Sequence, residues 1–379
     1  MPWTEAAIVS RRKEFVDLTM QEGANITELC KRYVISPKTA YKWIGRFSPD
    51  DPDWAKDRSR RPHHQPRRVS EETEAAVLAL HAAYRAWGGR KLRRLLDNQG
   101  FPDPPAPSTI TAILKRNGLI RPEESAKRGP MQRFEREQPN ELWQMDFKGQ
   151  FTTMSGVCHP LTIIDDHSRF SLCVAACPAQ REIYVREILA GVFRLYGMPV
   201  QMLMDNGSVW KSTDAPYTKL TAWLIRLGVR PSHCRPYHPQ TQGKDERFNR
   251  TLKTEAIRGC HFNGLDDCQR AFDRFRHVYN HERPHDALML DTPATHYRIS
   301  PFAFPEALPP IEYLSTDIVR KVGPAGYLSY RCTRYQVGRA FSGDPVALRL
   351  TERDGVMDVY YCNHVVATID LRNERCTQH

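Results

Sequence analysis

Two stretches of the chain, residues 1–50 and about 70–118, repeat apolar residues at helical spacing. The first stretch predicts three short helices. Its second helix is expected to begin at the N-cap Asn25 and its third at Ser36-Pro37, because serine caps helices and proline suits the first helical position. The second stretch predicts three further helices, the last beginning at the N-cap Ser108. Both stretches are therefore predicted to form small three-helix units.

Residues 140–300 change the pattern, since short apolar runs here alternate with helical periodicity. The predicted strands lie at 142–151, 160–164, 169–176, 200–204 and 229–234, and the predicted helices at about 181–195, 218–227, 241–257 and 265–280. Three strands followed by alternating helices and strands predict a mixed α/β sheet. After residue 309, alternating segments with a turn at Asp354-Gly355 predict a small β-barrel.

Each helical unit presents one helix with a polar, partly basic outward face. The outward residues are Lys38, Thr39, Tyr41, Lys42 and Arg46 in the first unit, and Thr109, Thr111, Lys115 and Arg116 in the second. A tight turn before a basic, capped helix is typical of helix-turn-helix units, although three-helix packing without DNA explains the first unit equally well. Two such units joined by a basic linker favour recognition of an extended DNA site, with these residues as contacts.

The segment between the two helical units, DRSRRPHHQPRR at 57–68, contains no apolar residue. Its arginines are Arg58, Arg60, Arg61, Arg67 and Arg68. The two prolines and the charge exclude a packed core and predict an extended linker. A solvated tether is one interpretation. An arm that lies along phosphates or in the minor groove is the favoured one, because arginine suits both positions.

Length and composition fit a multidomain globular protein with a polyanionic partner. Lys plus Arg exceed Asp plus Glu by 55 to 44 among 379 residues, which leaves a formal charge of +11 and raises the odds of nucleic-acid binding without deciding it. The predicted parts are helix-turn-helix units at 1–50 and 70–125, linkers at 51–69 and 126–139, the α/β domain at 140–300 and the barrel at 310–371.

Cellular location and cysteine chemistry are predicted from what the sequence lacks. No run of eighteen apolar residues and no signal pattern are present, so an intracellular protein without a membrane partner is expected. Ten cysteines form no CxxC pair and no Cys/His cluster with ligand spacing. Reduced thiols and no zinc are therefore expected.

Three carboxylates stand at the ends or edges of predicted elements in the α/β domain. Asp146 lies on the first strand in LWQMDFKG, Asp205 follows the apolar run VQMLM, and Glu246 lies near the start of a helix in HPQTQGKDERFNRTLKTE. Isolated carboxylates at such places are costly unless they bind something. Carboxylate oxygens are the ligands of Mg²⁺ and Mn²⁺, and two such ions stabilise both oxygens of an in-line phosphoryl displacement.

The motifs WQMD, MDNGS and HPQTQGKDERFNRTLK closely resemble the catalytic motifs of retroviral integrases and integrase-like bacterial insertion-sequence transposases. The resemblance extends over about 140–293 and includes YNHERPHDAL. It implies a ribonuclease-H-like core with a DDE triad of Asp146, Asp205 and Glu246, which would hold two Mg²⁺ or Mn²⁺ ions. The implied activity is DNA integration and recombination by a transposase. It would bind double-stranded transposon ends, cleave their 3′ ends and transfer them into target DNA, as a homo-oligomer in the bacterial cytoplasm, associated with the nucleoid.

The chain departs from the resembling proteins at two points. The 40 residues between Asp205 and Glu246 exceed the usual spacing, and the extra ones are expected to lengthen the loop at 211–217. The two-His, two-Cys zinc site of retroviral integrases has no counterpart, so zinc is not expected. A non-catalytic DNA-binding regulator derived from a transposase is the rival interpretation, and a nuclease that only cleaves is a third. An intact triad argues against the regulator.

Residues close to the triad need separate interpretations. Asp165 and Asp166 are interpreted as turn acids outside it. Asp245 and Glu246 point about 100° apart on a helix, so only one can face the ions, and the resemblance selects Glu246. The predicted contacts to the DNA end are Gln242, Asn249, Arg250 and Lys253. For Arg250 a salt bridge to Glu246 is the alternative.

Overall fold

The structure is a computed structural model that describes residues 5–58, 69–120, 136–205, 207, 209–210, 216–233, 243–372 and 375–378. It divides into two compact units, Met1–Arg68 and Val69–His379. None of the helices in these described ranges combines the length and the apolar character needed to cross a bilayer.

The first unit is a three-helix arrangement. Its helices are α1 (Glu5–Thr19), α2 (Ile26–Tyr33) and α3 (Pro37–Ile44). Asn25 caps α2 by accepting hydrogen bonds from the backbone N–H groups of Thr27 and Glu28. Ser36 caps α3 by accepting a hydrogen bond from Thr39 N–H, and Pro37 follows at the first helical position. Both predicted caps are therefore confirmed. The core of the unit includes the buried side chains of Phe15, Val16, Cys30, Ala40 and Trp43.

The second unit opens with three more helices, α4 (Glu71–Ala83), α5 (Gly89–Asn98) and α6 (Pro107–Arg116). The predicted N-cap Ser108 is wrong, because α6 begins at Pro107, after Ala106, and no side chain caps it. Proline has a fixed φ and no N–H to satisfy, so the helix starts two residues earlier than it would with Ser108 as its N-cap.

These three helices pack on the later part of the same unit. Tyr84 Oη donates a hydrogen bond of 2.6 Å to Glu282, which raises the pKa of Tyr84 to about 12. Arg94 pairs with Asp291 at 3.0 Å. Val278 joins the hydrophobic cluster that α4–α6 form among themselves. The second helical unit is therefore docked on the segment 278–291.

The α/β domain contains a six-stranded mixed sheet. Its strands are β1 (Leu142–Phe147), β2 (Phe151–Thr153), β3 (Gly156–Asp165), β4 (Ser171–Cys177), β5 (Gln201–Met204) and β6 (Arg230–His233). The order is β2-β3-β1-β5-β6, and β4 also pairs with β3. β1 runs antiparallel to β3 and parallel to β5, and β6 continues the parallel half. The predicted strand 142–151 is two strands, because a turn with Gly149 at φ 96° separates them.

Helices cover both faces of this sheet. They are α7 (Glu182–Tyr196), α8 (Lys219–Arg226), α9 (Gly243–Leu252), which continues as a π-helical turn (Lys253–Ile257), α10 (Leu265–His281) and the short α11 (Pro293–His296). One apolar cluster joins the sheet to α7 and α8 through Trp143, Leu189 and Trp223. A second cluster joins the other face to α9 and α10 through Phe248 and Phe272. The sheet is therefore buried between two helical layers.

The C-terminal part is a small β domain. Its strands are β7 (Ile318–Lys321), β8 (Tyr327–Tyr330), β9 (Thr333–Gln336), β10 (Pro345–Leu350), β11 (Val356–Tyr361), β12 (His364–Asp370) and β13 (Arg375–Gln378). Five of them form a sheet in the order β13-β12-β11-β10-β7, and β8 pairs with β9. In the part of the chain that the structure describes, no strand pairing closes these sheets into the predicted barrel. The turn at Asp354-Gly355 is confirmed between β10 and β11.

Candidate active site

Asp146 lies in the middle of the sheet, near the carboxyl end of β1. In the parallel pair β1–β5, Met145 stands opposite Met204, and each is followed directly by an aspartate. The carboxyl ends of parallel neighbours share one edge of the sheet, so the register brings Asp146 and Asp205 side by side. Asn249 of α9 donates a hydrogen bond of 3.0 Å from Nδ2 to Asp146 Oδ2. This contact ties the Asp146 carboxylate to the helix that carries Glu246.

The backbone around Asp205 closes tightly on its carboxylate. Gly207 N–H donates a hydrogen bond of 2.9 Å to Asp205 Oδ1. A Cβ at position 207 would lie only 2.9 Å from the same oxygen, so a larger residue would push the carboxylate aside. His233 Nδ1 lies 3.1 Å from the Asp205 carbonyl oxygen, at the end of β6. The contacts of Gly207 explain why a glycine stands two residues after Asp205.

The three predicted triad residues interact electrostatically. Burial raises the pKa of Asp146 to about 6, and the charge of Asp205 is the next cause, with a smaller contribution from Glu246. The hydrogen bond from Asn249 acts in the opposite direction. Glu246 lies on α9 with an exposed side chain. A helix and two strand ends thus bring three carboxylates, distant in sequence, into one electrostatic field.

The chemistry of these residues fits a divalent cation. Among the described residues, no three His, Cys, Asp or Glu side chains form a closed ligand set. The groups supply only hard oxygen donors, which Mg²⁺ and Mn²⁺ prefer. The pKa of Asp146 is raised by burial and by neighbouring carboxylates, and a bound cation would lower it again.

The pKa of Asp146 predicts how metal binding depends on pH. In the metal-free protein this carboxyl binds its proton up to about pH 6, and a metal must displace that proton. Apparent Mg²⁺ affinity is expected to fall as the pH is lowered below about 6, by up to about tenfold per pH unit for one proton. Calorimetric Mg²⁺ titrations between pH 5 and 8 measure this. An affinity unchanged down to pH 5 contradicts the assignment of Asp146 as a ligand.

Asp245, beside Glu246, has a different environment. Its side chain is only 2% exposed, and its Oδ1 has no hydrogen-bond partner among the described residues. Burial raises its pKa well above the ordinary value, and the charges of Asp146 and Asp166 add to this shift. The predicted divergence of the two carboxylates is present. Sequence reasoning, however, gave no sign that Asp245 is the buried one.

Asp165 and Asp166 have the structural surroundings of turn acids. Asp165 accepts hydrogen bonds from Ser168 N–H and Oγ–H and from Asn140 N–H. Asp166 accepts hydrogen bonds from Gln144 Nε2 and Lys244 Nζ, both at 2.6 Å, and from a further backbone N–H. Both carboxylates are fully buried. Their oxygens therefore hold the turn between β3 and β4 and the start of α9.

The four DNA contacts predicted near Glu246 have different positions. Arg250 and Lys253 are exposed, and no ion pair joins Arg250 to Glu246 among the described residues. Gln242 lies outside the described residues. Asn249 is buried, and its side chain contacts Asp146 and Thr162 rather than a free surface. The geometry at Asn249 thus differs from the predicted DNA contact, because α9 turns this residue towards β1.

The predicted outward face of α3 is only partly free. Lys38, Tyr41 and Lys42 are exposed. Thr39 is half-buried, and its hydroxyl lies 2.9 Å from that of Ser36. The Arg46 guanidinium lies over the Trp43 ring, 5.0 Å from its centroid. Thr39 and Arg46 are therefore partly engaged within the unit.

The predicted contacts on α6 and in the linker are similarly mixed. Lys115 is exposed and Thr109 is half-buried. Thr111 Oγ1 donates to the Pro107 carbonyl, and Arg116 pairs with Glu74 of α4. In the linker Arg58 is exposed, whereas the other four arginines lie outside the described residues. The prediction that these residues contact DNA remains a prediction.

Four family models match successive parts of the chain. A homeodomain-like domain matches residues 39–114. Integrase core domain models match residues 136–239 and 227–293. The C-terminal domain of IS481 family transposases matches residues 317–377. The last match covers the small β domain, and the integrase matches cover the sheet, α9 and the three carboxylates.

Individual proteins and one solved structure also align with parts of the chain. The Gag-Pol polyprotein of avian reticuloendotheliosis virus is 33% identical over 118 residues, which is 30% of this chain and 10% of the polyprotein. The insertion element IS407 uncharacterized 31.7 kDa protein of Burkholderia multivorans is 25% identical over 236 residues, 61% of this chain and 82% of that protein. The magnesium-bound catalytic core domain of HTLV-2 integrase shares 16% identity, with a TM-score of 0.34 over 43% of this chain and 99% of that one.

The matched segments confirm the resemblance drawn from the motifs. They also confirm a homeodomain-like helical region and an integrase core of ribonuclease-H-like fold. The chain thus combines an integrase core with an IS481-family transposase C-terminal domain, and it is homologous to proteins of bacterial insertion elements and of retroviruses.

Proposed function

We propose that the chain is a DNA transposase that cleaves the 3′ ends of a transposon and joins them to target DNA. The observation that carries the proposal is that the charges of Asp205 and Glu246, both distant in sequence, act on Asp146. Asp146 and Asp205 lie side by side at one edge of the sheet, and α9 carries Glu246 against β1. These three carboxylates would hold two Mg²⁺ or Mn²⁺ ions, which when bound supply Lewis acidity for phosphodiester cleavage and transfer.

The chain's own residues would position the DNA around this centre. Asn249 holds the Asp146 carboxylate through its 3.0 Å hydrogen bond and limits its rotation. Arg250 and Lys253 lie four and seven residues beyond Glu246, on the same face of the helix, and both are exposed. Positive charge at these positions suits phosphates of the DNA end.

Selection of the ends would fall to the helical units rather than to the carboxylates. Metal-assisted phosphate chemistry is insensitive to base sequence, so specificity needs separate contacts. The exposed Lys38, Tyr41 and Lys115 are candidates, as is Lys42, whose ammonium lies 4.7 Å from the Trp43 ring centroid. Two ends must be held together for transfer, so a homo-oligomer on double-stranded DNA is part of this proposal.

A joining assay tests the proposed function. Inverted repeats that flank the gene in genomic DNA supply the end sequence for labelled oligonucleotides. The full chain is incubated with these oligonucleotides, supercoiled plasmid and Mg²⁺. Labelled ends covalently joined to the plasmid are expected. Nicked ends without joining would favour a nuclease, and stable binding without any cleavage would favour a regulator.

A further inference from the structure

An open cavity of about 420 Å³ lies where the second helical unit meets the segment that follows α10. Residues of α5 and α6 and their flanks form most of its lining, and one residue after α10 completes it. The lining residues are Gly88, Gly89, Arg90, Lys91, Pro107, Ser108, Thr111 and Asp286. Five of these eight carry a polar side chain and two are glycines, so the cavity suits a polar or charged ligand.

Lys91 brings a positive charge to the cavity that no carboxylate matches. Its side chain is half-buried, and its ammonium forms no ion pair with the carboxylates of the described ranges. Burial lowers the pKa of Lys91 to about 8, and the charges of Arg283 and Arg247 lower it further against those of Asp286 and Glu255. Burying a charge without a partner is unfavourable, so a bound anion would stabilise this lysine.

The two carboxylates whose charges favour the protonated lysine are already bonded by arginines. Asp286 lies 3.1 Å from the Arg90 guanidinium and 3.7 Å from that of Arg247. Glu255 lies 3.1 Å from Arg283. Together with the lysine, four basic side chains thus share two carboxylates. The surroundings of the cavity therefore carry an excess of positive charge.

Two further side chains offer hydrogen-bond donors to the cavity. The Arg90 side chain is 70% exposed, so its guanidinium has donors left beside those that Asp286 uses. Ser108 is exposed in the first turn of α6, and its hydroxyl caps no helix. A Cβ at Gly88 would meet no atom within 4 Å, so a ligand can approach the backbone there. Ammonium, guanidinium and hydroxyl groups are the side-chain donors that phosphates accept in protein–DNA contacts.

We propose that this cavity binds one backbone phosphate of the transposon-end DNA, with Lys91 as its main cation and Arg90 and Ser108 as further donors. The inference rests on the proposed function, which supplies the DNA. Asp286 joins the cavity to α9 through Arg247. A phosphate bound here would therefore hold the DNA end where the second helical unit meets the catalytic domain. Such a contact fixes the position of the DNA without reading its sequence.

The substitution Lys91→Gln removes the charge and keeps most of the side-chain length. Without DNA its thermal midpoint should not fall, because repulsion from Arg247 and Arg283 is removed. Its affinity for end DNA should fall by about tenfold or more, as for loss of a hydrogen bond between charged groups. The slope of log K against log salt should decrease by about 0.9 for the one lost phosphate contact.

A scan with methylphosphonates, which are uncharged, tests whether the ligand is a DNA phosphate. Each phosphate of the end oligonucleotide is replaced in turn, and the full chain is titrated by fluorescence anisotropy. At one position wild type should lose about tenfold in affinity and Lys91→Gln should lose little more, because effects at two groups in contact are not additive. Lys321→Gln, an exposed lysine at the end of β7, controls for loss of one positive charge and should respond like wild type. Ser108→Ala, at an exposed position, takes the place of Lys91→Gln in the scan if the latter does not fold.

The outcomes distinguish this inference from the proposed function. Non-additivity between Lys91 and one DNA phosphate supports the inference. Additive losses at every phosphate, in a chain that still joins ends to plasmid, overturn it and leave the proposed function intact. Inorganic phosphate might instead raise the thermal midpoint of wild type and not of Lys91→Gln; that result with additive losses would assign the cavity to free phosphate and also overturn the inference. A wild-type chain that neither binds nor joins end DNA overturns both.

Discussion

Asp146→Asn, Asp205→Asn and Glu246→Gln are each expected to reduce cleavage and joining by at least about a hundredfold, a loss of about two decades of rate. Each change keeps the shape of the side chain and removes the charge that would hold a cation. Binding of end DNA should stay largely intact, because it depends on the helical units and on basic residues elsewhere. The expected result is thus a protein that binds transposon-end DNA without cleaving or joining it.

The measurement combines two assays on the same preparations. Joining is followed with labelled end oligonucleotides and plasmid, and binding with a mobility-shift titration of the same oligonucleotides. Glu312→Gln, an exposed residue before the small β domain, controls for loss of one negative charge. If a triad variant retains joining above about one percent of wild type, that residue leaves the triad, since a ligand loss costs about two decades or more.

The proposed triad could be chosen from the sequence because local patterns identify the strand ends and the motif resemblance selects Glu246. An apolar run that ends in Asp205 identifies a strand end, and the pairing of Met145 with Met204 then places Asp146 beside it. The helix starts at Asn25 and Ser36 could also be predicted from the local sequence, because each cap accepts a hydrogen bond from a backbone N–H within three residues. Such features need no knowledge of tertiary packing.

Orientation within α9 could not be predicted in the same way. Helical periodicity shows that Asp245 and Glu246 diverge, but the packing of the helix on β1 and β3 decides which one is buried. The same packing turns Asn249 towards Asp146. A buried polar residue on a helix with both polar and apolar positions has no distinguishing feature in the sequence. Only the tertiary structure shows that it is not a surface residue.

Contacts between residues that are far apart in the sequence could not be predicted either. Tyr84 and Glu282 are 198 residues apart, yet their hydrogen bond helps to dock the second helical unit on the α/β domain. Arg116, which is predicted to contact DNA, forms an ion pair with Glu74 of α4 that the sequence did not indicate. Alternation in the C-terminal segment predicted strands correctly, but alternation does not specify whether a sheet closes.

Replacing Arg58, Arg60, Arg61, Arg67 and Arg68 by Ala is expected to flatten the salt dependence of DNA binding. Each lost phosphate contact reduces the slope of log K against log salt by about 0.9, so five contacts reduce it by about 4.5. Asp57, the one acid in this segment, is bonded by Arg12 at 3.1 Å, and Arg58 is exposed. The sequence of the segment thus supplies one carboxylate for five arginines.

The variant with five alanines should lose most DNA affinity relative to wild type in dilute salt. This difference in affinity should become smaller as the salt concentration rises, because release of counterions from DNA contributes less to binding at high salt. Fluorescence anisotropy on end DNA over a series of salt concentrations gives both slopes. The matched control replaces the same five arginines by lysine, which keeps the charge and should keep most of the slope. An alanine variant with the wild-type slope would show that the segment is a charged tether. In that case the phosphate contacts that position the chain must come from the helical units and from residues such as Arg250 and Lys253.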